Sequence, residues 1–158
     1  QRQLDLYCDN VQLLASIEGS SNGARMLSRL RPQDLVIPIA FPRYFSDTVL
    51  LASRAHEAGV PVLALTDTPA SPLASMATVA LYAQTDSPYF SNSEASVLAL
   101  IEALCSAVSH CAKGSLQAAA RLTESVLPWL DGNHANRLRP VDKVLLHGPN
   151  TKPTKSTP

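Results

Sequence analysis

The residues able to do chemistry gather between positions 41 and 48. There Phe41, Pro42, Arg43, Tyr44 and Phe45 run into Ser46, Asp47 and Thr48. A guanidinium carries five N–H donors in a fixed fork and receives a carboxylate or phosphate at two points. Free backbone donors at a helix start near 46–48 would add to such an anion site. The rings of Phe41, Tyr44 and Phe45 would stand beside it as an apolar wall. The competing structural reading is that Pro42 and the rings only close a pocket and Arg43 lies on the surface. A second polar group follows at Thr66, Asp67 and Ser71, and a third at Ser91 and Ser93. Each has a plainer role too: Thr66 bonding loop backbone, Asp67 fixing the turn before Pro69, and the serines capping helices.

These groups need elements to hold them. The apolar run 35–40 reads as a strand, although Pro38 within it removes a ladder donor. A helix then starts with Ser46 or Asp47 as its cap and Val49, Leu50, Ala52, Ala55 and Ala58 as its apolar face. Gly59 fits the position just past its end. Residues 62–65 form the clearest strand. Ser71-Pro72 is a cap followed by proline at the first helical position, opening a short helix to Met76. A strand over 78–83 and a polar connection over 85–93 lead into a long helix, 93–112. A further helix runs through Leu116, Ala119, Leu122, Val126 and Trp129 after Gly114. Nearer the start, 4–11 reads as the last turns of a helix, 11–14 as a short strand, and 24–31 as a short helix stopped by Pro32. Strands alternating with helices predict an α/β fold, a three-layer α/β/α sandwich around a parallel sheet. Ligands in such sheets collect beyond the carboxyl ends of the strands, where the 41–48 and 66–71 loops fall.

Composition narrows the function. A chain of 158 residues, 46% hydrophobic, can bury one substantial core. Its 13 basic and 13 acidic side chains cancel, which leaves no basic stripe for nucleic acid. Cys8, Cys105 and Cys111 lack C-x-x-C spacing and read as reduced thiols of a cytoplasmic protein. No segment is expected to span a bilayer. No metal-ligand spacing, Ser-His-Asp order or nucleotide loop is visible, so no cofactor or metal is expected. His56 falls on a surface helix, His110 near a helix end, and His134 and His147 in the tail. Residues 1–131 are expected to form one ligand-binding domain and 132–158 a largely disordered tail. A start at Gln1, already in a helix pattern, reads as a piece of something longer.

Three stretches together carry a family resemblance: Ile39-Ala-Phe-Pro-Arg-Tyr-Phe-Ser-Asp-Thr-Val49, Ala55-His-Glu-Ala-Gly59, and Leu65-Thr-Asp-Thr-Pro-Ala-Ser-Pro-Leu-Ala-Ser-Met-Ala77. The chain resembles a sugar isomerase (SIS) domain over residues 4–112, and more narrowly the effector domain of RpiR-type bacterial transcription regulators. The resemblance implies binding of a phosphorylated sugar or another small anionic metabolite. It also implies DNA contact only through a helix-turn-helix domain absent here, along with a first strand that does not precede Gln1. Many SIS domains carry Ser-x-Ser-Gly-x-Thr in the opening loop to wrap a phosphate. Ala40, Pro42, Arg43 and Phe45 occupy the two serine, glycine and threonine positions. The hydroxyl cradle is replaced by a cation and rings, which suits a less sugar-like ligand.

SIS isomerases use a glutamate near the start of the equivalent long helix as proton-transfer base, and Glu94 lies at a comparable place. The reading reached is a non-enzymatic sensor that works by binding at Phe41–Thr48 and Thr66–Ser71, with Ser91 and Ser93 as further anion contacts. It would assemble as a homo-oligomer through the 93–112 helix, whose apolar residues spread beyond one stripe. A sugar-phosphate isomerase and a non-sensing oligomerisation module are the alternatives.

Overall fold

The computed structural model describes residues 1, 3–14, 20–89 and 92–129. The expected tail over 132–158 and Ser91 lie outside the described residues. The chain divides into two compact units, one over 12–104 and one that joins 1–11 to the residues from 105 onward.

In the 12–104 unit, helix α1 (Ser20–Leu27) is followed by α2 (Ser46–Glu57), strand β1 (Leu63–Thr66) and strand β2 (Val79–Tyr82). Strands β1 and β2 pair in parallel with Leu63 opposite Val79 and Thr66 opposite Tyr82. The 35–40 segment joins the other side of β1 through two parallel bridges, Val36 to Val62 and Ile39 to Leu65. It is not a continuous strand, and Pro38 explains why. Leu63 N–H donates to the Val36 carbonyl, Leu65 N–H to the Pro38 carbonyl, and Ala40 N–H to the Leu65 carbonyl. The rung between them would need a donor at residue 38, and proline has none. Thr78 clasps the entry to the sheet: its N–H donates to the Val62 carbonyl at 2.8 Å while its hydroxyl accepts from Val62 N–H at 3.1 Å.

Two apolar clusters hold α2 to the sheet. Ala55, Val36, Val60, Val62 and Leu27 form one, and Ala52, Ala40, Ala64 and Leu73 form the other. Ala52 and Ala55 stand three apart on one helix face and are both 1% exposed, so the helix backbone lies close to the strands. Gly23 has a similar role in α1. A Cβ there would meet the Leu14 carbonyl oxygen at 3.0 Å and a Leu51 methyl at 3.1 Å. Helix α2 ends as expected, with Gly59 in the left-handed region at φ +72° and its N–H on the His56 carbonyl. The start differs from expectation. Phe45, extended at φ −69° and ψ 129°, is the cap residue, and no side chain caps the helix. Its carbonyl already takes Thr48 N–H and Val49 N–H, which places Ser46 and Asp47 inside the first turn.

Helix α3 spans Glu94–Cys111, divided between the two units. With 18 residues and a mean hydropathy of 1.3 it is long and apolar enough to cross a membrane by length and composition. That corrects the expectation that no segment is. It carries Glu94 and Glu102 within that length, and carboxylates inside a bilayer are costly. In the other unit, residues 4–11 form a 3-10 turn, Leu4–Leu6, and not the end of an α-helix. Asn10 reverses the backbone at φ 57°, and 11–14 adds no strand. That turn packs on helix α4 (Ser115–Val126), which continues as a 3-10 turn through Trp129.

Leu65 is fully buried at the centre of the sheet. Leu65→Ala is expected to cost about 2–5 kcal/mol, read as a lowered midpoint in urea denaturation followed by circular dichroism.

Candidate functional site

Beyond the 35–40 segment the chain turns through 41–45 into α2, and this turn borders an open cleft of about 460 Å³. One side is Phe41, Pro42, Arg43 and Phe45; the other is Thr85, Asn92, Ser93, Glu94, Val97 and Leu98. The lining is mainly apolar. Phe45 is 79% exposed and Leu98 58% exposed, so large hydrophobic surfaces face the opening.

Arg43 adopts φ 71°, a left-handed backbone that costs a non-glycine residue roughly 1–2 kcal/mol. The position that the resemblance assigns to glycine thus has a glycine-like conformation and carries a long cationic side chain. The Arg43 guanidinium makes no hydrogen bond or ion pair among the described residues. It stands close to the start of α2, whose cap residue offers no side-chain acceptor to the first-turn N–H groups.

The loop is held from two directions. Tyr44 O–H donates to Asp67 Oδ1 at 2.7 Å, tying the loop to the end of β1. Thr66 Oγ1 lies 3.1 Å from Asp67 Oδ1 and 2.7 Å from Ser71 Oγ, and Ser71 Oγ accepts Leu73 N–H. Ser71 can donate to Thr66 while Thr66 donates to Asp67, which leaves every buried oxygen served. From the other direction Asn92 Nδ2–H donates to the Pro42 carbonyl at 3.0 Å, and Asn92 Oδ1 accepts from Thr85 Oγ1 at 3.2 Å. Ser93 N–H closes on the Thr85 carbonyl at 2.7 Å, and Ser96 Oγ–H donates to the Gln84 carbonyl.

Of the twelve positions expected to bind, Phe41, Pro42, Arg43 and Ser93 border the cleft. Tyr44, Asp67 and Ser71, with Thr66, form the network behind the loop; Thr66 is fully buried and Ser71 nearly so. Ser46, Asp47 and Thr48 make up the first turn of α2, where Asp47 supplies the negative charge that a helix start favours. Ser91 lies outside the described residues. Asn92 and Thr85 went unnoticed in the sequence. The 85–93 connection stood out only for its serines, and nothing in the spacing couples Asn92 to a carbonyl 50 residues earlier.

The model of the SIS domain matches residues 13–107. The chain belongs to the SIS domain family. The sugar isomerase domain of an RpiR transcription factor from Sphaerobacter thermophilus is 34% identical, at a TM-score of 0.58 over 68% of this chain and 57% of that one. The NanR protein of Vibrio vulnificus, solved in complex with ManNAc-6P, shares the fold at 20% identity and a TM-score of 0.61, over 73% of this chain and 46% of that one. The chain thus spans about half the length of these structures. No curated protein matches it. The cleft lies wholly within the matched span of this SIS domain, and the parallel α/β arrangement expected from the sequence is that of the family.

The hydrogen bond to Asp67, with burial and the Asp67 charge added, holds the Tyr44 phenol above its usual pKa. A pKa raised on folding adds stability below the unfolded value, about 10, and that stability is lost as pH rises through the folded value. Tyr44→Phe is therefore expected to cost about 1 kcal/mol at neutral pH. The gap between the two proteins should close in denaturation curves taken above pH 10.

Proposed function

We propose that this SIS domain is the ligand-sensing effector domain of an RpiR-type transcription regulator. It binds a sugar phosphate or another small anionic metabolite, carries out no chemistry, and works as a cytoplasmic homodimer. The observation that carries this reading is Arg43: a cation without a partner among the described residues, in a costly left-handed conformation at the mouth of a cleft. Backbone strain retained in this way is commonest at ligand sites. The RpiR likeness supports the regulator part, and the phosphosugar bound to the NanR protein supports the ligand class. In this reading Arg43 grips the anion beside the open first turn of α2. Phe41, Pro42 and Ser93 complete the contact. Ser46, Asp47 and Thr48, on the first turn of α2, are recruited when the loop closes, Ser91 is a further anion contact of the proposal, and Tyr44, Thr66, Asp67 and Ser71 keep the loop in place. DNA contact belongs to a helix-turn-helix domain outside this chain.

Signal leaves the cleft through Asn92. It bonds the Pro42 carbonyl and stands two residues before α3, so a loop that closes on ligand pulls at the start of that helix. Only Cys105 of α3 is buried, and a broadly apolar helix left uncovered suits a subunit interface.

A thermal-shift screen of phosphosugars, sugar acids and small carboxylates tests the sensor. A ligand at 100 times its dissociation constant should stabilise by roughly 2.7 kcal/mol, and Arg43→Ala should erase that shift. Phosphosugar turnover abolished by Glu94→Gln would mark an isomerase instead. Arg43→Gly should leave the melting temperature unchanged or raised, because glycine accepts φ 71° freely, yet bind no anion. Sedimentation at micromolar concentration should show dimers; a monomer would remove the relay.

A further inference from the structure

The cleft holds a second unsatisfied charge. Glu94, in the first turn of α3, borders the same space as Arg43, and like Arg43 it has no hydrogen-bond or ion-pair partner among the described residues. The two do not neutralise each other, since no ion pair joins them. Of the uncharged polar side chains between them, Thr85 serves Asn92 and Asn92 serves the Pro42 carbonyl, which leaves the Ser93 hydroxyl. What remains free is a cation on the 41–45 side, an anion and the single Ser93 hydroxyl on the α3 side, and apolar surface from Phe41, Phe45, Val97 and Leu98.

Such a cleft has few neutral partners to offer a polyol, whose hydroxyls would otherwise have to stay in water. It does suit a molecule with opposite charges at its two ends and little polarity between them. We propose that the ligand is zwitterionic: its phosphate or carboxylate meets Arg43 and a protonated amine meets Glu94. This rests on the anion-sensing reading above and narrows it to amino-bearing metabolites. A carboxylate opposite an ammonium gives charge-assisted hydrogen bonds that a hydroxyl or an acetylated nitrogen cannot replace. It also repels a second anionic group at that end, which provides selectivity as well as attraction. Because the cleft is open, the gain is screened, and roughly five- to tenfold in affinity is expected for the amine.

The test uses matched pairs in calorimetric titrations of the purified chain: glucosamine 6-phosphate against N-acetylglucosamine 6-phosphate, and leucine against N-acetylleucine. The first pair probes a phosphate at Arg43 and the second a carboxylate. The expected result is that, in one pair, the free amine binds about five- to tenfold tighter than its acetylated partner. Glu94→Gln should bring the two members of the pair to equal affinity, while Arg43→Ala weakens both members. Equal binding of both members, or a preference that survives Glu94→Gln, would overturn the zwitterion and leave the anion sensor standing. If the acetylated member binds tighter, the α3 side favours a neutral group and the zwitterion falls. Binding of neither pair, with no anion shifting the melting temperature, would overturn both readings.

Discussion

The hydrogen bond from Tyr44 to Asp67 holds the 41–45 turn against the carboxyl end of β1, and the cleft keeps its shape only while that turn is held. Asp67 is itself fixed through Thr66, whose hydroxyl shares the buried space with Ser71. A fully enclosed hydroxyl must find a partner or incur a desolvation cost of about 1–3 kcal/mol. Each oxygen in the chain is therefore required by the next, and the turn that carries Arg43 has one place to be. The left-handed backbone at Arg43 follows. The turn must leave the sheet at Ala40 and enter α2 at Ser46, and its two anchors, at Pro42 and Tyr44, flank residue 43 directly.

The same economy governs the sheet beneath. Pro38 leaves one rung of the ladder without its donor, so the 35–40 segment is held to β1 through Val36, the Pro38 carbonyl and Ala40 but not as a continuous strand. Small residues compensate. Ala52 and Ala55 bring α2 down onto the strands, where Ala40, Ala64 and Leu73 fill the space without bulk. The cost of a missing donor is met by close packing on the other face, and the carboxyl ends of the strands remain aligned where the loops need them.

In the hydroxyl-lined version of this loop that the family resemblance describes, affinity comes from many neutral donors around a phosphate. Here the cleft offers few uncommitted polar groups, two of them charged, against an apolar lining. Recognition by a few charges is longer in range and more sensitive to salt, and it discriminates by the sign and placement of charge on the ligand. The fold is that of the family, and loops above a parallel sheet are where one fold hosts different chemistry.

The alternation of apolar runs with helical patterns was enough, by itself, to settle the parallel α/β class, the span of α2 to within a residue, the left-handed Gly59 and the long α3. These depend on local periodicity and turn chemistry, which neighbouring residues encode. Arg43 and its ring-bearing neighbours stood out as candidates because unusual residue types fell where a strand ends, and they do border the cleft. Other features came only from the tertiary structure. Whether Thr66, Asp67 and Ser71 face a ligand or one another depends on which loops meet, and they meet one another and Tyr44. Asn92 became part of the site because folding brings it to Pro42, 50 residues away. The start of α2 shifted by one residue because the Phe45 carbonyl reached Thr48 and Val49 before a serine cap could form. Such contacts join segments distant in sequence, and no local pattern records a partner that only the fold supplies.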